Sequence, residues 1–205
     1  MRLTRYAVMV SGGGTNLQSL IDSDIPASIV CVISSKEGAF ALTRAHQAGI
    51  NTCVIQRKEY KEKAGFDRAN LEALRSCGAQ FVVLAGYMQI LGKELVEAYE
   101  NRIINIHPSL IPSFCGMGYY GLHVHEAVLQ YGARVTGATV HLVDNGADTG
   151  PIILQEAVPV LPGDTPEVLQ QRVMQTEHTL LPRAVRLMSE GRLSVQGRIV
   201  TIKED

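Results

Sequence analysis

The sequence lacks a surplus of charge of either sign, and it lacks any long hydrophobic run. Nineteen lysines and arginines balance twenty aspartates and glutamates over 205 residues, which gives a formal net charge of -1. A general nucleic-acid-binding surface needs clustered positive charge, so this balance argues against a nucleic-acid partner. No apolar stretch approaches the roughly 20 residues that cross a bilayer, and the apolar residues 6–10 are too few for a signal-peptide core. We therefore expect no membrane partner.

Paired cysteines are also lacking. Cys31, Cys53, Cys77 and Cys115 are scattered along the chain and form no Cys-x-x-Cys pair. Neither a thiolate zinc site nor a disulfide framework is indicated, and a reducing cytoplasm is the expected location. Hydrophobic residues make up 46% and charged residues 19% of the chain, which excludes the composition of a disordered protein and, at this length, predicts one domain.

Short apolar runs alternate with longer amphipathic stretches over the first half of the chain. This alternation is typical of β-α-β units, in which helices cover both faces of a parallel sheet. Strands are predicted at residues 6–10, 28–33, 52–55, 81–84 and 103–106, and helices at 16–22, 40–48, 60–75 and 93–99. The predicted fold class is therefore α/β, with a doubly wound, mostly parallel twisted sheet and helices on both faces.

The pattern changes after residue 106. Residues 107–122 are rich in Gly, Pro, Ser and Tyr without a clear period, which predicts a long and therefore functional loop. A helix at 124–131, strands at 139–143 and 152–160, a helix at 166–189 and a hairpin at 194–202 follow, so the C-terminal part is expected to contain antiparallel strands. Asp164 is the predicted N-cap of the last helix, with Pro166 in its first turn and Glu167 at the capping-box position.

A glycine cluster lies between the first predicted strand and the first predicted helix. Gly12, Gly13 and Gly14 would let backbone N–H groups approach an anion at the positive end of that helix. No Lys followed by Ser or Thr completes a P-loop, and Leu17 stands where the dinucleotide fingerprint has its third glycine. The turn thus suits a monophosphate better than a dinucleotide. The alternative is a tight strand-to-helix turn without a ligand.

Two polar residues end the fifth predicted strand. Asn105 and His107 are two positions apart, so they project to the same side, and Pro108 favours an extended backbone at His107. Ligands of open α/β sheets bind at the carboxyl ends of the strands. An amide and an imidazole there could stabilise an oxyanion and deliver a proton, as acyl transfer requires. The alternative is that both are ordinary loop-capping residues.

A turn-rich loop between two later strands carries carboxylates. Asp148 could orient His107 or raise the pKa of its imidazole by ion pairing. The spacing from Asp144 to Asp148 only faintly resembles a calcium loop, because the twelve-residue pattern and its final glutamate are absent. Turn chemistry alone would also explain these residue types.

Other histidines and one cysteine are further candidate site residues. His123 and His125, with His141 further along, could share a metal, but no nearby acid or cysteine completes the set and a helix would part the first two rings. Cys115 is interpreted as a bystander thiol, because nothing in the sequence lowers its pKa. No metal is expected.

Five ordered blocks of this chain resemble the phosphoribosylglycinamide formyltransferase family. They begin with Ser-Gly-Gly-Gly-Thr-Asn-Leu-Gln and end with Glu-His, and together they cover nearly the whole sequence. The blocks are residues 11–18, 84–91, 105–112, 148–155 and 177–178. The resemblance implies a single formyltransferase domain over 1–205, with a ribonucleotide-phosphate-binding half at about 1–100 and a catalytic and folate-binding half at about 101–205.

The resemblance also implies roles for individual residues. The implied catalytic group is Asn105, His107 and Asp148, in which Asn105 and protonated His107 stabilise an oxyanion while Asp148 holds the imidazole. Residues implied to bind glycinamide ribonucleotide are Gly14, Thr15, Asn16, Met174, Gln175, Thr176 and Glu177. Residues implied to bind the folate are Lys63, Met88, Gln89, Ile90, Leu91, Asn105, Asp144, Asn145, Gly146, Ala147 and Asp148.

The implied reaction moves a formyl group from the co-substrate 10-formyltetrahydrofolate to the amine of glycinamide ribonucleotide in purine biosynthesis, without a metal. The loop at 113–121, hereafter the flap, is longer than in common family members, and we expect it to be mobile over the phosphate and amine end of the cleft. The alternatives are a formyltetrahydrofolate hydrolase and a non-catalytic folate or nucleotide binder. Hydrolases resemble this domain with an added N-terminal module, and we expect none in this protein. Either a monomer or a homodimer fits the sequence.

Overall fold

The computed structural model describes residues 3–204, which build one nine-stranded mixed sheet. The strands are β1 Thr4–Val10, β2 Ala27–Ser34, β3 Thr52–Val54, β4 Phe81–Leu84, β5 Ile103–His107, β6 Val135–Leu142, β7 Ile152–Pro159, β8 Leu193–Gln196 and β9 Ile199–Ile202. The helices are α1 Thr15–Ile21, α2 Phe40–Gln47, α3 Lys63–Ser76, α4 Lys93–Ala98, α5 Leu122–Tyr131 and α6 Pro166–Ser189.

The strand order has a topological switch point near the middle of the sheet, between β1 and β4. The order is β3-β2-β1-β4-β5-β6-β7-β9-β8, and β1 to β5 are parallel. The chain moves outward from β1 to β3 and then crosses to β4 on the other side of β1. Crevices at such switch points, outside the carboxyl ends of the strands, are where open α/β sheets bind ligands. Beyond β5 the sheet turns antiparallel through β6 and β7.

Alternate residues of β1 enter two separate cores. Tyr6 and Val8 pack on one face with α1, α2, α5 and α6, whereas Ala7 and Met9 pack on the other face with α3 and α4. Successive side chains of a strand point to opposite faces, so a strand covered on both sides is apolar at every position. The α/β, doubly wound fold class predicted from the short apolar runs is confirmed.

Three local predictions were wrong. The third helix begins at Lys63 rather than residue 60, because Tyr60 and Glu62 have extended backbones after a separate 3-10 turn at residues 57–59. Strand β6 begins at Val135, four residues before the predicted start, in a stretch whose small and hydroxyl residues give no apolar run. Thr165, not Asp164, caps α6, and its side-chain oxygen accepts the backbone N–H of Val168 at 3.3 Å.

Asp164 has a different partner from the one that its sequence position predicted. Its two carboxylate oxygens accept hydrogen bonds from Arg172 at 2.6 and 2.7 Å, and this pairing holds the pKa of Asp164 at about 2. Because the cap is one residue later, Glu167 falls at the second position of the helix and outside a capping box. Among residues 3–204 no helix is long and apolar enough to cross a membrane.

Candidate active site

A cleft of about 320 Å³ lies at the carboxyl ends of β4 and β5. The segment after β4, the end of β5, the second part of the flap and much of the β6–β7 loop line it. It therefore lies beside the switch point that the strand order creates. Apolar side chains of the β4–α4 loop and polar side chains of β5 and β6 both line this cleft.

His107 is the last residue of β5 and is buried, with 4% of its surface exposed. Its Nε2 donates to the carbonyl oxygen of Phe114 in the flap at 2.9 Å, and its Nδ1 lies 3.5 Å from Oδ2 of Asp148. Burial lowers the pKa of His107 below its usual value, although Asp148 and the Phe114 carbonyl act in the opposite direction. Asp148 thus raises the pKa of His107, as its sequence position suggested, but burial has the larger and opposite effect, so the net shift is downward.

Asp148 comes from the β6–β7 loop and has a left-handed backbone, with φ of 56°. One carboxylate oxygen accepts the backbone N–H of Gly116 at 2.9 Å. Burial alone would raise the pKa of this carboxyl, but His141, His107 and the Gly116 N–H together hold it below its usual value. Asp148 is therefore a carboxylate at neutral pH and faces His107 as a negative charge.

Asn105 is held by two acceptors. Its Nδ2 donates to Nε2 of His141 at 3.0 Å and to Oδ1 of Asp148 at 3.3 Å. His141 accepts because its Nδ1 proton is already donated to the carbonyl of Leu142 at 2.9 Å. This chain of bonds orients the amide with its N–H groups toward the polar end of the cleft. The weaker bond to Asp148 is the one that an incoming oxyanion could replace.

His141 is a member of this site that the sequence did not identify. It lies opposite Asn105 in the antiparallel β5–β6 pair and is 3.6 Å from Asp148. The sequence indicates His141 only as a distant metal ligand with His123 and His125. In the structure His123 binds Glu126 instead, and among residues 3–204 no group of three or more potential metal ligands occurs. The available signal was a histidine between the apolar residues Val140 and Leu142 at the end of this strand.

The flap covers the strand ends. Residues 116–121 line the cleft together with the predicted catalytic group, and the flap contacts both His107 and Asp148 through its backbone. Cys115 lies between those two contacts. Burial and the neighbouring Asp148 raise the pKa of its thiol, so it is a poor nucleophile.

The glycine turn is fixed by close packing against α2. Gly14 is the N-cap of α1 with φ of 72°, and a Cβ there would lie 2.6 Å from Cβ of Ala41. Ser11 ties this turn to its neighbours: its hydroxyl accepts the N–H of Met88 at 2.8 Å and bonds to the hydroxyl of Ser35 at 2.6 Å. The turn after β1 and the loop after β4 are thus linked across the switch point.

A second, shallower depression lies beside the glycine turn. Thr15, Arg44 and His178 are among its lining residues. Nε of Arg44 donates to the carbonyl of Gly13 at 2.9 Å, which places a cation beside the turn. Arg44 was not identified from the sequence, because only the packing of α2 against this turn brings it there. The depression runs along α1 from Thr15, at its positive end, to Asp22, so Arg44 contributes a positive charge and Asp22 a negative one.

Asn16 and Glu177 meet although they are far apart in the sequence. Nδ2 of Asn16 donates to Oε2 of Glu177 at 2.8 Å, while Oδ1 of Asn16 is buried without a hydrogen-bond partner. Burial raises the pKa of Glu177, and the bond from Asn16 only partly opposes that rise. Buried polar atoms are normally satisfied, so this pair has hydrogen-bonding capacity that a ligand can use. Met174, Gln175 and Thr176 occupy the preceding turn of α6.

Nine of the eleven residues implied to contact the folate line the cleft, and Lys63 and Asn145 do not. Met88 and Ile90 are large, exposed apolar side chains on its wall. Lys63, at the start of α3, bonds instead to Oδ2 of Asp67 at 2.7 Å, and Oδ1 of Asp67 accepts the N–H of Gly92 at 3.2 Å. Lys63 is therefore linked through Asp67 to the end of the β4–α4 loop and does not line the cleft.

The comparisons with known proteins agree with this architecture. Residues 4–185 match the profile of the formyl transferase family, and the chain belongs to that family. A phosphoribosylglycinamide formyltransferase of Haemophilus influenzae is 38% identical over 96% of this chain and 92% of its own length.

A longer relative and two solved structures are also similar to this chain. The trifunctional purine biosynthetic protein adenosine-3 of Bos taurus is 47% identical over 98% of this chain, which spans only 20% of that relative's length. A glycinamide ribonucleotide transformylase of Symbiobacterium toebii is 43% identical, with a TM-score of 0.93 and coverage of 98% and 95% of the two chains. A formyltetrahydrofolate deformylase of Pseudomonas syringae is 28% identical with a TM-score of 0.90. The match covers 99% of this chain and 67% of the deformylase chain.

Proposed function

We propose that this protein transfers the formyl group of 10-formyltetrahydrofolate to the amine of glycinamide ribonucleotide, a step of purine biosynthesis. The observation that carries the proposal is the meeting of Asn105, His107 and Asp148 in a cleft that apolar side chains also line. Formyl transfer needs an oxyanion stabiliser, a proton donor and a base close together, and these three side chains supply them.

The cleft fits an aromatic co-substrate on chemical grounds. Met88, Ile90 and Leu91 offer an apolar wall, while the loop from Asp144 to Asp148 offers polar groups at the closed end. Binding sites for small molecules combine such a wall with a few placed polar groups. We propose that the folate lies there and presents its formyl group to the catalytic group. Lys63 would reach a folate carboxylate only by leaving Asp67, so we place it at the periphery with Asn145.

The glycine turn is our proposed site for the acceptor. Gly14, Thr15 and Asn16 begin α1, where backbone N–H groups favour a phosphate, and Arg44 adds a positive charge. Glu177, with Met174, Gln175 and Thr176 before it, would face the ribose or the amine. The unpaired Oδ1 of Asn16 and the buried carboxyl of Glu177 support this assignment, because a ligand there gains hydrogen bonds that the protein leaves unmade.

The geometry suggests how the chain's own residues act. As the amine attacks the formyl carbon, negative charge develops on the formyl oxygen, and Asn105 Nδ2 and protonated His107 stabilise it. Because burial lowers the pKa of His107, the negative charge of Asp148 is what keeps the imidazolium accessible. Asp148 then accepts a proton of the attacking amine through water, and a proton returns to the departing folate nitrogen.

The remaining alternatives predict different kinetics. A hydrolase releases formate without an acceptor amine, and a non-catalytic binder turns over neither substrate. The lower identity to the deformylase than to the transformylase favours transfer. The four unpaired cysteines support a cytoplasmic location, and we propose small-molecule partners for a monomer or homodimer.

The test is the initial rate of folate product formation, measured with and without glycinamide ribonucleotide in the presence of a chelator. We expect turnover that requires the acceptor and persists in chelator. Equal turnover without the acceptor would identify a hydrolase. The absence of turnover in both conditions would identify a binding module.

A further inference from the structure

Two of three unusual backbone conformations flank the catalytic histidine. Among residues 3–204 the non-glycine residues with positive φ are Asn101, Phe114 and Asp148, and both Phe114 and Asp148 contact His107. A left-handed backbone brings the Cβ of a non-glycine residue too close to the following carbonyl oxygen, so it is strained. Such strain persists where surrounding contacts hold it, and it concentrates at functional sites. Phe114, with φ of 50°, has no role in the reaction described above.

The conformation of Phe114 directs its carbonyl at His107. The carbonyl oxygen is 2.9 Å from Nε2 of the imidazole. A carbonyl can only accept a hydrogen bond, so this contact requires a proton on Nε2. In the neutral form of the ring, Nδ1 is then the nitrogen without a proton. The backbone of Phe114 thereby determines the tautomer of His107.

The choice of tautomer decides which nitrogen titrates. Nδ1 faces Oδ2 of Asp148 at 3.5 Å, so a proton gained there is stabilised by a carboxylate. With the opposite tautomer, the neutral ring would already carry its proton beside Asp148, and the titrating nitrogen would face the flap. The Phe114 carbonyl therefore keeps proton exchange at Nδ1, the nitrogen that faces Asp148.

Aromatic contacts hold Phe114 in place. Its ring meets Tyr119 edge to face at a centroid distance of 6.3 Å and Tyr131 at 5.8 Å. Two residues later the N–H of Gly116 donates to Asp148, so the flap backbone contacts both members of the His107–Asp148 pair. Edge-to-face pairs are attractive beyond simple burial, and they offset the strain of the left-handed backbone.

We propose that Phe114 is a positioning residue, which acts by fixing the proton of neutral His107 on Nε2 and so leaves Nδ1 to exchange its proton beside Asp148. This inference rests on the proposed formyl transfer for its kinetic consequence only. The tautomer itself is a property of the protein without substrates.

The direct test measures the side-chain nitrogens of His107 in protein labelled with ¹⁵N-histidine. The chain has six histidines, and the His107 signals are assigned by their loss in His107→Gln. In the wild type we expect a protonated Nε2 and an unprotonated Nδ1 above the pKa of the ring. In Phe114→Ala we expect a mixture of tautomers, whereas Phe114→Tyr keeps the ring contacts and the wild-type spectrum.

The kinetic test follows the same variants over pH. The Phe114 carbonyl raises the pKa of His107, so its displacement in Phe114→Ala moves the fall of kcat with rising pH toward lower pH. At neutral pH we expect kcat to fall by about fivefold to tenfold, the effect of one hydrogen bond, with an unchanged KM for glycinamide ribonucleotide. Leu161→Ala, an exposed apolar truncation in the β7–α6 loop, is the control and should match the wild type.

A second variant guards against loss of folding. Tyr131 contacts Phe114 but is 82% exposed, so Tyr131→Ala should fold and shift the tautomer and the pH profile in the same direction by less. If Phe114→Ala does not fold, the tautomer and pH profile of Tyr131→Ala alone test the role of Phe114. Wild-type tautomer and pH profile in the variant that folds would overturn the inference even if kcat fell. A wild-type protein without transferase activity would refute the proposed function, and the spectra would still judge the role of Phe114.

Discussion

Gly14→Ala tests whether the glycine turn is set by conformation alone or also by its contact with α2. The left-handed backbone at φ +72° should cost alanine about 1–2 kcal/mol. The new Cβ would also lie 2.6 Å from Cβ and 2.7 Å from Cα of Ala41. Since a backbone carbon cannot move aside as a flexible side chain does, this overlap should add about 1–3 kcal/mol. The expected total loss is about 2–5 kcal/mol.

Gly163→Ala is the matched control. Gly163 has a similar φ of +84°, but a Cβ there would meet no atom within 4 Å. We expect only the backbone cost, about 1–2 kcal/mol. Urea unfolding of both variants gives the two losses, and the difference between them measures the overlap with Ala41. The KM for glycinamide ribonucleotide should rise in Gly14→Ala alone. Equal losses of stability in the two variants would refute the packing argument.

Three further predictions concern the catalytic and acceptor residues. His107→Ala should lower kcat by on the order of a hundredfold while ligand binding, measured by calorimetry, stays nearly intact; wild-type turnover would exclude His107 as the essential acid. Asn105→Ala should cost about the hundredfold of one oxyanion donor in kcat, and an equal loss of folate affinity would instead make it a binding residue. Because burial raises the pKa of Glu177, wild-type stability should fall as pH rises past the ordinary carboxyl pKa. Glu177→Gln should therefore gain stability over the wild type as pH rises from the ordinary carboxyl pKa to neutral, while its KM for glycinamide ribonucleotide rises. A stability difference that does not change with pH would contradict this account.

Most of the sheet could be predicted from the sequence because parallel strands covered on both faces are short, uniformly apolar runs. Strand β4 was predicted at its observed bounds for this reason. Strand β6 was predicted too short because its first residues, Val-Thr-Gly-Ala, are held by pairing with β7 rather than by apolar character. The bounds of α6 were predicted as observed, but its N-cap was misplaced by one residue because Asp164 and Thr165 are both good caps. The ion pair with Arg172 engages Asp164 and leaves Thr165 as the cap.

Only those parts of the site that depend on the local sequence could be predicted. Asn105 and His107 were recognised because two polar residues end an apolar strand. His141 was missed because its contact with Asn105 depends on the register of β5 against β6, which the sequence does not contain. The contact between Phe114 and His107 depends on a backbone dihedral, and no residue-type preference indicates a left-handed phenylalanine. The partner of Lys63 was likewise set by the position of the β4–α4 loop.

The two parts of the cleft come from opposite sides of the α4–β5 junction in the chain. Asn105, His107, His141 and Asp148 all follow α4 in the chain, whereas Met88 and Ile90 precede it. A cut between α4 and β5 would separate β4 from β5 and leave the apolar wall on one fragment and every proton-transferring group on the other. Neither fragment alone would have a complete cleft. Recovery of activity on mixing the fragments would thus report that the strands had paired again, which makes this junction suitable for a split-enzyme reporter.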